Sequence, residues 1–247
     1  MTHATASTAV DSWLGSGLGR TVLQAESELM SEALDDVFGW ELLQVGTWGP
    51  REQLLSGCRT RRHAVVSGRR SASADADITA RLSQLPISNG AVDAVILPHT
   101  LEFETDPYAV VREVDRVLAG EGQLIVLGFR PWSLWGFRSR AISRGYPPGL
   151  KRMLGARRIA DWLELLGYDV SLTRNYLFTP PWGNSAPLPG QPSALLRRGF
   201  LKPWPSGAYL IKARKRVYTL TPIRPKMRVQ PQPIGGLVKP TTPRDTH

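Results

Sequence analysis

The stretch from Ala91 to Phe129 constrains the fold most. Ala91 to Leu97 is an apolar run rich in β-branched residues that closes at Pro98. After Asp106-Pro107, residues Val110, Val111, Val114, Val117 and Leu118 recur along one helical face until Gly120 and Gly122 end the pattern. Gln123 to Phe129 is then the clearest strand in the chain. A buried strand, an amphipathic helix and a second buried strand in quick succession are the signature of a right-handed βαβ unit in a parallel sheet.

The flanking sequence extends this pattern. Val22 to Phe38 places Leu29, Ala33 and Val37 at helical spacing with acids between them, and Gly39 supplies the stop. Glu41 to Val45 and His63 to Ser67 are short apolar runs ending in Gly46 and Gly68, both read as buried strands. Ala156 to Leu166 is helical, with Ile159, Trp162, Leu163 and Leu166 on one face, and it precedes a strand over Tyr168 to Leu172. Ala208 to Leu220 supplies a final strand. The order of strands and helices points to an α/β fold of βαβ units around a parallel sheet.

Charge divides the chain differently. Residues 1–169 hold 18 Lys and Arg against 20 Asp and Glu, whereas residues 170–247 hold 13 basic residues and a single acid, Asp245. Arg130 to Arg158 carries eight basic residues and no acid, so residues 130–155 read as a basic cap or insertion. Residues 222–247 contain six prolines and little apolar material, and read as a disordered basic tail following a domain over residues 1–221. The lone Cys58 excludes an intramolecular disulfide, no apolar run is long enough to span a bilayer, and Met1 to Ser12 lacks a secretory pattern; a cytoplasmic location is expected.

Two passages carry a resemblance. Leu42-Leu43-Gln44-Val45-Gly46-Thr47-Trp48-Gly49 stands in the place of a glycine-rich first motif. Leu85-Pro86-Ile87, Asp93 through Leu97, Pro98-His99-Thr100-Leu101-Glu102-Phe103 and the segment Gly122 to Phe129 follow in order. Together they resemble the methyltransferase type 11 branch of the class I S-adenosylmethionine-dependent methyltransferases, and the resemblance implies a Rossmann-like, doubly wound, mostly parallel, seven-stranded sheet with one antiparallel strand, formed by Ala208 to Leu220. The resemblance implies S-adenosylmethionine as cofactor, a methyl acceptor as substrate, and cofactor contacts at Gln44, Gly46, Thr47, Trp48, Gly49, Arg81, Leu82, Pro98 and His99. No metal is implied. Gly15-Ser16-Gly17-Leu18-Gly19 matches a glycine-rich fingerprint more closely, but no strand precedes it, so it is rejected as a cofactor loop.

Four positions depart from the family pattern: Gln44 replaces an acid, Trp48 replaces a glycine, Gly68-Arg69-Arg70 lacks the ribose-holding acid, and Arg81 replaces an adenine-facing Asp, with Asp77 the nearest acid. A degenerate, non-catalytic member that binds an anionic partner, nucleic acid or an acidic surface, through the basic cap and tail is therefore the alternative. An NADP-dependent oxidoreductase, with Arg69 and Arg70 meeting a 2′-phosphate, is a third. Methyl transfer needs a positioned nucleophile and, for some acceptors, a base; His99 and Glu102, just past an apolar strand, are the candidate catalytic residues. Trp132 and Trp135 are candidate walls of an acceptor pocket.

Overall fold

The structure, a computed structural model, describes residues 3–68, 76–142, 145–178, 180–181 and 205–217. The proposed tail over residues 222–247 and the pair Arg69-Arg70 lie outside these residues. Helices α1 (His3–Leu14) and α2 (Gly17–Leu34) precede β1 (Glu41–Val45), α3 (Arg51–Leu55), β2 (Arg62–Gly68) and β3 (Ile78–Ala80). Then come β4 (Val92–Pro98), α4 (Thr100–Phe103), α5 (Pro107–Val117), β5 (Leu118–Phe129), α6 (Leu134–Ala141), α7 (Ala156–Leu165), β6 (Tyr168–Tyr176) and β7 (Ala208–Lys215).

The seven strands form one sheet in the order β3-β2-β1-β4-β5-β7-β6. Strand β7 runs antiparallel between β5 and β6, with Val126 opposite Ile211 and Thr173 opposite the same residue, so the expected antiparallel strand is present. Alternate residues of each central strand feed opposite faces: Leu42, Ala94, Ile96, Ile125 and Leu127 pack with α1 and α2, while Leu43, Val95, Leu97, Leu124 and Val126 pack with α5 and α7. A sheet covered on both faces requires this continuous apolarity.

The N-terminal start differs from the expectation. The helix read from Val22 begins at Gly17, and α1 precedes it. The glycine-rich run spans the α1–α2 junction. A Cβ on Gly19 would stand 2.2 Å from the Trp13 carbonyl oxygen, so this glycine permits close helix approach. Ser16 caps α2 by accepting a hydrogen bond from the Gly19 N–H.

Side chains fix the ends of the βαβ unit. Asp106 accepts from the Ala109 N–H at the start of α5, with Pro107 in the first turn. Arg116 donates to the Leu85 and Ile87 carbonyls, and Glu113 accepts from the Leu85 N–H, which pins the Leu-Pro turn onto α5. At the entrance to the sheet, one carboxylate oxygen of Asp93 accepts from the backbone N–H groups of Trp40 (2.6 Å) and Glu41 (3.0 Å), tying the start of β4 to the start of β1. Asp93→Ala leaves those two donors without their carboxylate and should lower the unfolding free energy by about 1–3 kcal/mol in urea titrations. A loss below about 0.5 kcal/mol, the range of ordinary surface changes, would contradict the assignment.

Candidate functional site

The strand order reverses between β1 and β4: the chain leaves β1 toward β2 and β3, then crosses to β4 and β5. Ligands of open α/β sheets lie beyond the carboxyl ends of the strands at such a point. The loops leaving β1 and β4 meet there. Gly46 and Gly49 adopt φ of 93° and 66°, and His99, directly after Pro98, adopts φ of 54°, a left-handed conformation uncommon for a residue with a side chain. Gly46 donates its N–H to the Val66 carbonyl on β2.

The candidate cofactor residues fall into two groups. Gln44, Gly46, Thr47, Trp48, Gly49, Pro98 and His99 gather at the β1/β4 switch point. Gln44 is buried; its Nε2 donates to the Gly46 carbonyl at 3.1 Å, and its Oε1 has no partner. Arg81 belongs with Thr79, Ala80, Gln84 and Pro86, which line a cleft of about 360 Å³ at the carboxyl end of β3. Leu82 is buried beneath that region in the core shared with Val66 and Leu85. Asp77 does not face the cleft chemistry: it pairs with Arg51 and accepts from the Val65 N–H, interactions that lower its pKa.

The glycine turn is tighter than an open cradle. A Cβ on Gly46 would sit 2.4 Å from the Thr100 hydroxyl, and one on Gly49 would sit 2.6 Å from a Leu23 methyl. Thr100 in turn donates to the Val45 carbonyl. A side chain at Gly46 therefore collides first with Thr100 on α4. Gly46→Asp should lower the melting temperature by several degrees, as a displaced buried hydrogen bond and strained backbone together demand. An unchanged melting temperature would contradict this packing.

At the carboxyl end of β4 the structure brings together His99 and Glu102 and adds residues that the sequence reading missed. His99 Nδ1 lies 2.9 Å from Glu102 Oε2, and Nε2 lies 2.8 Å from Glu26 Oε1. Tyr176 donates its hydroxyl to the same Glu26 oxygen, and Trp48 Nε1 donates to the other at 2.6 Å. Glu102 Oε1 accepts from the Phe129 N–H at 2.6 Å. The imidazole ring lies between Trp48 and Phe129, at centroid distances of 4.4 and 4.2 Å. Glu26, His99 and Glu102 are all buried. The missed signal for Glu26 was an acid within the buried stripe Val22, Leu23, Met30 and Ala33 of α2. Tyr176 lies beyond the expected end of its strand and gave no such signal.

Burial disfavours a charged imidazole, but the negative Glu26 and the hydrogen bonds that the ring donates to both carboxylates outweigh it and hold His99 up at about 9. Burial also pushes Glu102 above the ordinary carboxylate range, against the pull of His99. Burial, reinforced by Glu26, raises the Tyr176 phenol as well. The folded state thus keeps the His99 proton above pH 6.5, where the unfolded histidine releases it, so folding binds protons in this window and stability falls as pH rises. Unfolding free energy should decline between pH 6.5 and about 9, and His99→Gln should flatten that slope in denaturant titrations across the range. An unaltered slope in the variant would refute the clamp.

The two tryptophans expected to wall a pocket part company. Trp135 is buried, stacked on Phe129 at 5.6 Å and edge-on to Trp13, whereas Trp132 is 74% exposed. No group of three or more His, Cys, Asp or Glu among the described residues is arranged to hold a metal ion.

Sheet order, the glycine turn at the switch point and the residues around it define a methyltransferase-type α/β domain. A family profile described as a methyltransferase domain matches residues 57–126. The Escherichia coli protein YafS, itself uncharacterised, is 30% identical over 175 residues, spanning 70% of this chain and 71% of YafS. A SAM-dependent methyltransferase from Thermotoga maritima superposes with a TM-score of 0.60 at 16% identity, over 83% of this chain and 93% of its own. A geranyl diphosphate methyltransferase solved in complex with SAM gives 0.53 at 17% identity, over 78% and 85%. The chain belongs to the type 11 methyltransferase-domain family of the class I S-adenosylmethionine-dependent methyltransferases.

Proposed function

We propose that the chain is an S-adenosylmethionine-dependent methyltransferase whose cofactor lies along the carboxyl ends of β1, β2 and β3. The observation that carries this reading is the unpartnered Oε1 of buried Gln44 at the switch point. A buried acceptor without a donor is costly, so its presence points to a ligand N–H. Gln44 stands where the family pattern has an acid, and a neutral carbonyl can still accept from an ammonium group, with less electrostatic attraction. The polar cleft of Thr79, Arg81 and Gln84, floored by Leu82, fits the opposite, nucleoside end. Gly46, Thr47, Trp48, Gly49 and Pro98 form the wall between them.

Bound S-adenosylmethionine supplies a methyl group on a sulfonium centre, which a nucleophile displaces in line. The protein's part is placement and the handling of one proton. His99 and Glu102 stand beside the reactive end. With both ring nitrogens hydrogen-bonded and the ring charged, His99 is a donor rather than a free base. Glu26 and Glu102 fix its orientation, and Glu102 also fixes the end of β5 through the Phe129 N–H. These three act as positioning residues for the acceptor.

A specific observation favours the second reading, a non-catalytic member of the family. Trp48 replaces a glycine, and its buried indole binds Glu26 while Leu23 and Thr100 pack against the turn, narrowing the end where the methionine moiety would lie. Titration calorimetry separates the readings. S-adenosylhomocysteine should bind the wild type, and Gln44→Leu should weaken it about tenfold or more, the effect of one lost charge-assisted hydrogen bond. A folded wild-type protein that takes up neither S-adenosylmethionine nor S-adenosylhomocysteine is the non-catalytic form.

A further inference from the structure

Large apolar side chains reach solvent at only a few described positions, and three of them, Trp132, Phe137 and Ile142, fall together on α6 and its flanks. Trp132 is 74% exposed and Phe137 57%. The guanidinium of Arg140 lies 4.8 Å from the Trp132 ring centre and 5.9 Å from that of Phe137. This face is mounted rigidly. Ser133 caps α6 by accepting from the Gly136 N–H, and Trp135, on the inward side, stacks on Phe129. The exposed side chains are thus held outward by a buried anchor.

The segment that carries this face has charge of one sign. Residues 130–158 contain eight Lys and Arg and no acid. Exposed Lys151 and Arg152 belong to the same end of the sheet, because their backbone N–H groups donate to the Glu102 carbonyl at 3.0 and 3.2 Å. A second exposed aromatic pair, Phe38 and Trp40, offers an internal contrast. It too carries stacked arginines, Arg59 and Arg61, but acids answer the charge there: Arg59 pairs with Asp35, and neighbouring Arg62 with Glu41. Of these two aromatic pairs, the one at α6 is the one with no stacked arginine answered by a carboxylate among the described residues.

We propose that Trp132, Phe137 and Ile142, with Arg140, form a docking surface for an anionic phospholipid membrane. Tryptophan and phenylalanine partition into the headgroup region, and flanking Lys and Arg add attraction to acidic lipids. A single-stranded nucleic acid would need aromatic faces free for base stacking, and Arg140 lies over both rings. Ile142 has a place in an acyl boundary and none on a nucleotide. Docking this way sets the carboxyl end of β5, three residues before Trp132, toward the lipid. The inference does not depend on cofactor binding.

The test is co-sedimentation of the full chain with phosphatidylcholine vesicles, with and without phosphatidylglycerol. Binding is expected only to the anionic vesicles, weakening with salt. Trp132→Ser/Phe137→Ser, which leaves every charge in place, should reduce partitioning about tenfold or more, as the loss of two interfacial side chains requires. Trp40→Ser should change nothing. Arg140→Glu, scored at unchanged melting temperature, provides a second, charge-reversing variant that should also abolish binding. The proposal is overturned if the double variant partitions like the wild type, if neutral vesicles bind equally, or if no vesicle binds. It is equally overturned if polyuridylate binds through Trp132 and Phe137 while vesicles do not.

Discussion

A buried histidine bonded on both sides by buried carboxylates sets the terms for the carboxyl end of this sheet. An isolated charge in such a place is severely penalised, and removing one partner of a buried pair leaves the other uncompensated. His99, Glu102 and Glu26 meet this demand only together, and they come from the β4–α4 loop, α4 and α2. The position of α2 over the sheet is therefore specified by more than apolar burial. One turn of slippage would carry Glu26 away from His99, Trp48 and Tyr176, three partners on three separate segments. Apolar packing alone tolerates such shifts; a converging polar network does not.

The same constraint explains the shape of the turn after β1. For Trp48 to reach Glu26 and lie against the His99 ring, the backbone must fold back sharply, which Gly46 and Gly49 allow through positive φ. Trp48, a departure from the family pattern as a residue type, becomes intelligible as part of this network. Its indole N–H neutralises the second oxygen of Glu26, and its ring covers one face of His99 while Phe129 covers the other. The replacement of a glycine there thus comes with a compensating acid on α2.

Periodicity made the sheet legible. Every central strand alternates between two apolar faces, and the helices over 107–117 and 156–165 carry one apolar stripe each, so element type followed from sequence spacing. The N-terminal helix pair was harder to read because glycines at 15, 17 and 19 look like a loop, whereas Gly19 lets two helices touch. Gly46, His99 and Glu102 were legible because they sit beside the ends of strong strands. Glu26 and Tyr176 were not, since their roles arise from contacts 73 and 150 residues apart in sequence. Local pattern carries no record of such pairings. The outward turn of Trp132 against the inward turn of Trp135 was equally hidden, because a cap of mixed aromatic and basic residues has no periodicity to assign faces.

The two ends of the sheet are built on different principles. At the entrance, Asp93 holds the backbone before β1, and Arg116 with Glu113 holds the Leu-Pro turn, so these polar side chains secure main chain. At the exit, His99 is held in a left-handed conformation, Gln44 keeps an unpartnered acceptor, and charge is buried. Glu121, at φ of 64°, and Gln123, with an unpartnered Oε1, sit in the first half of β5, so irregularity is not confined to the exit; what the exit adds is the buried His99–carboxylate cluster, at the end where folds of this topology bind their ligands. The rigid entrance makes that cluster possible. Strands registered from one end by packing and by side chains hydrogen-bonded to main chain can support strained loops at the other without losing alignment.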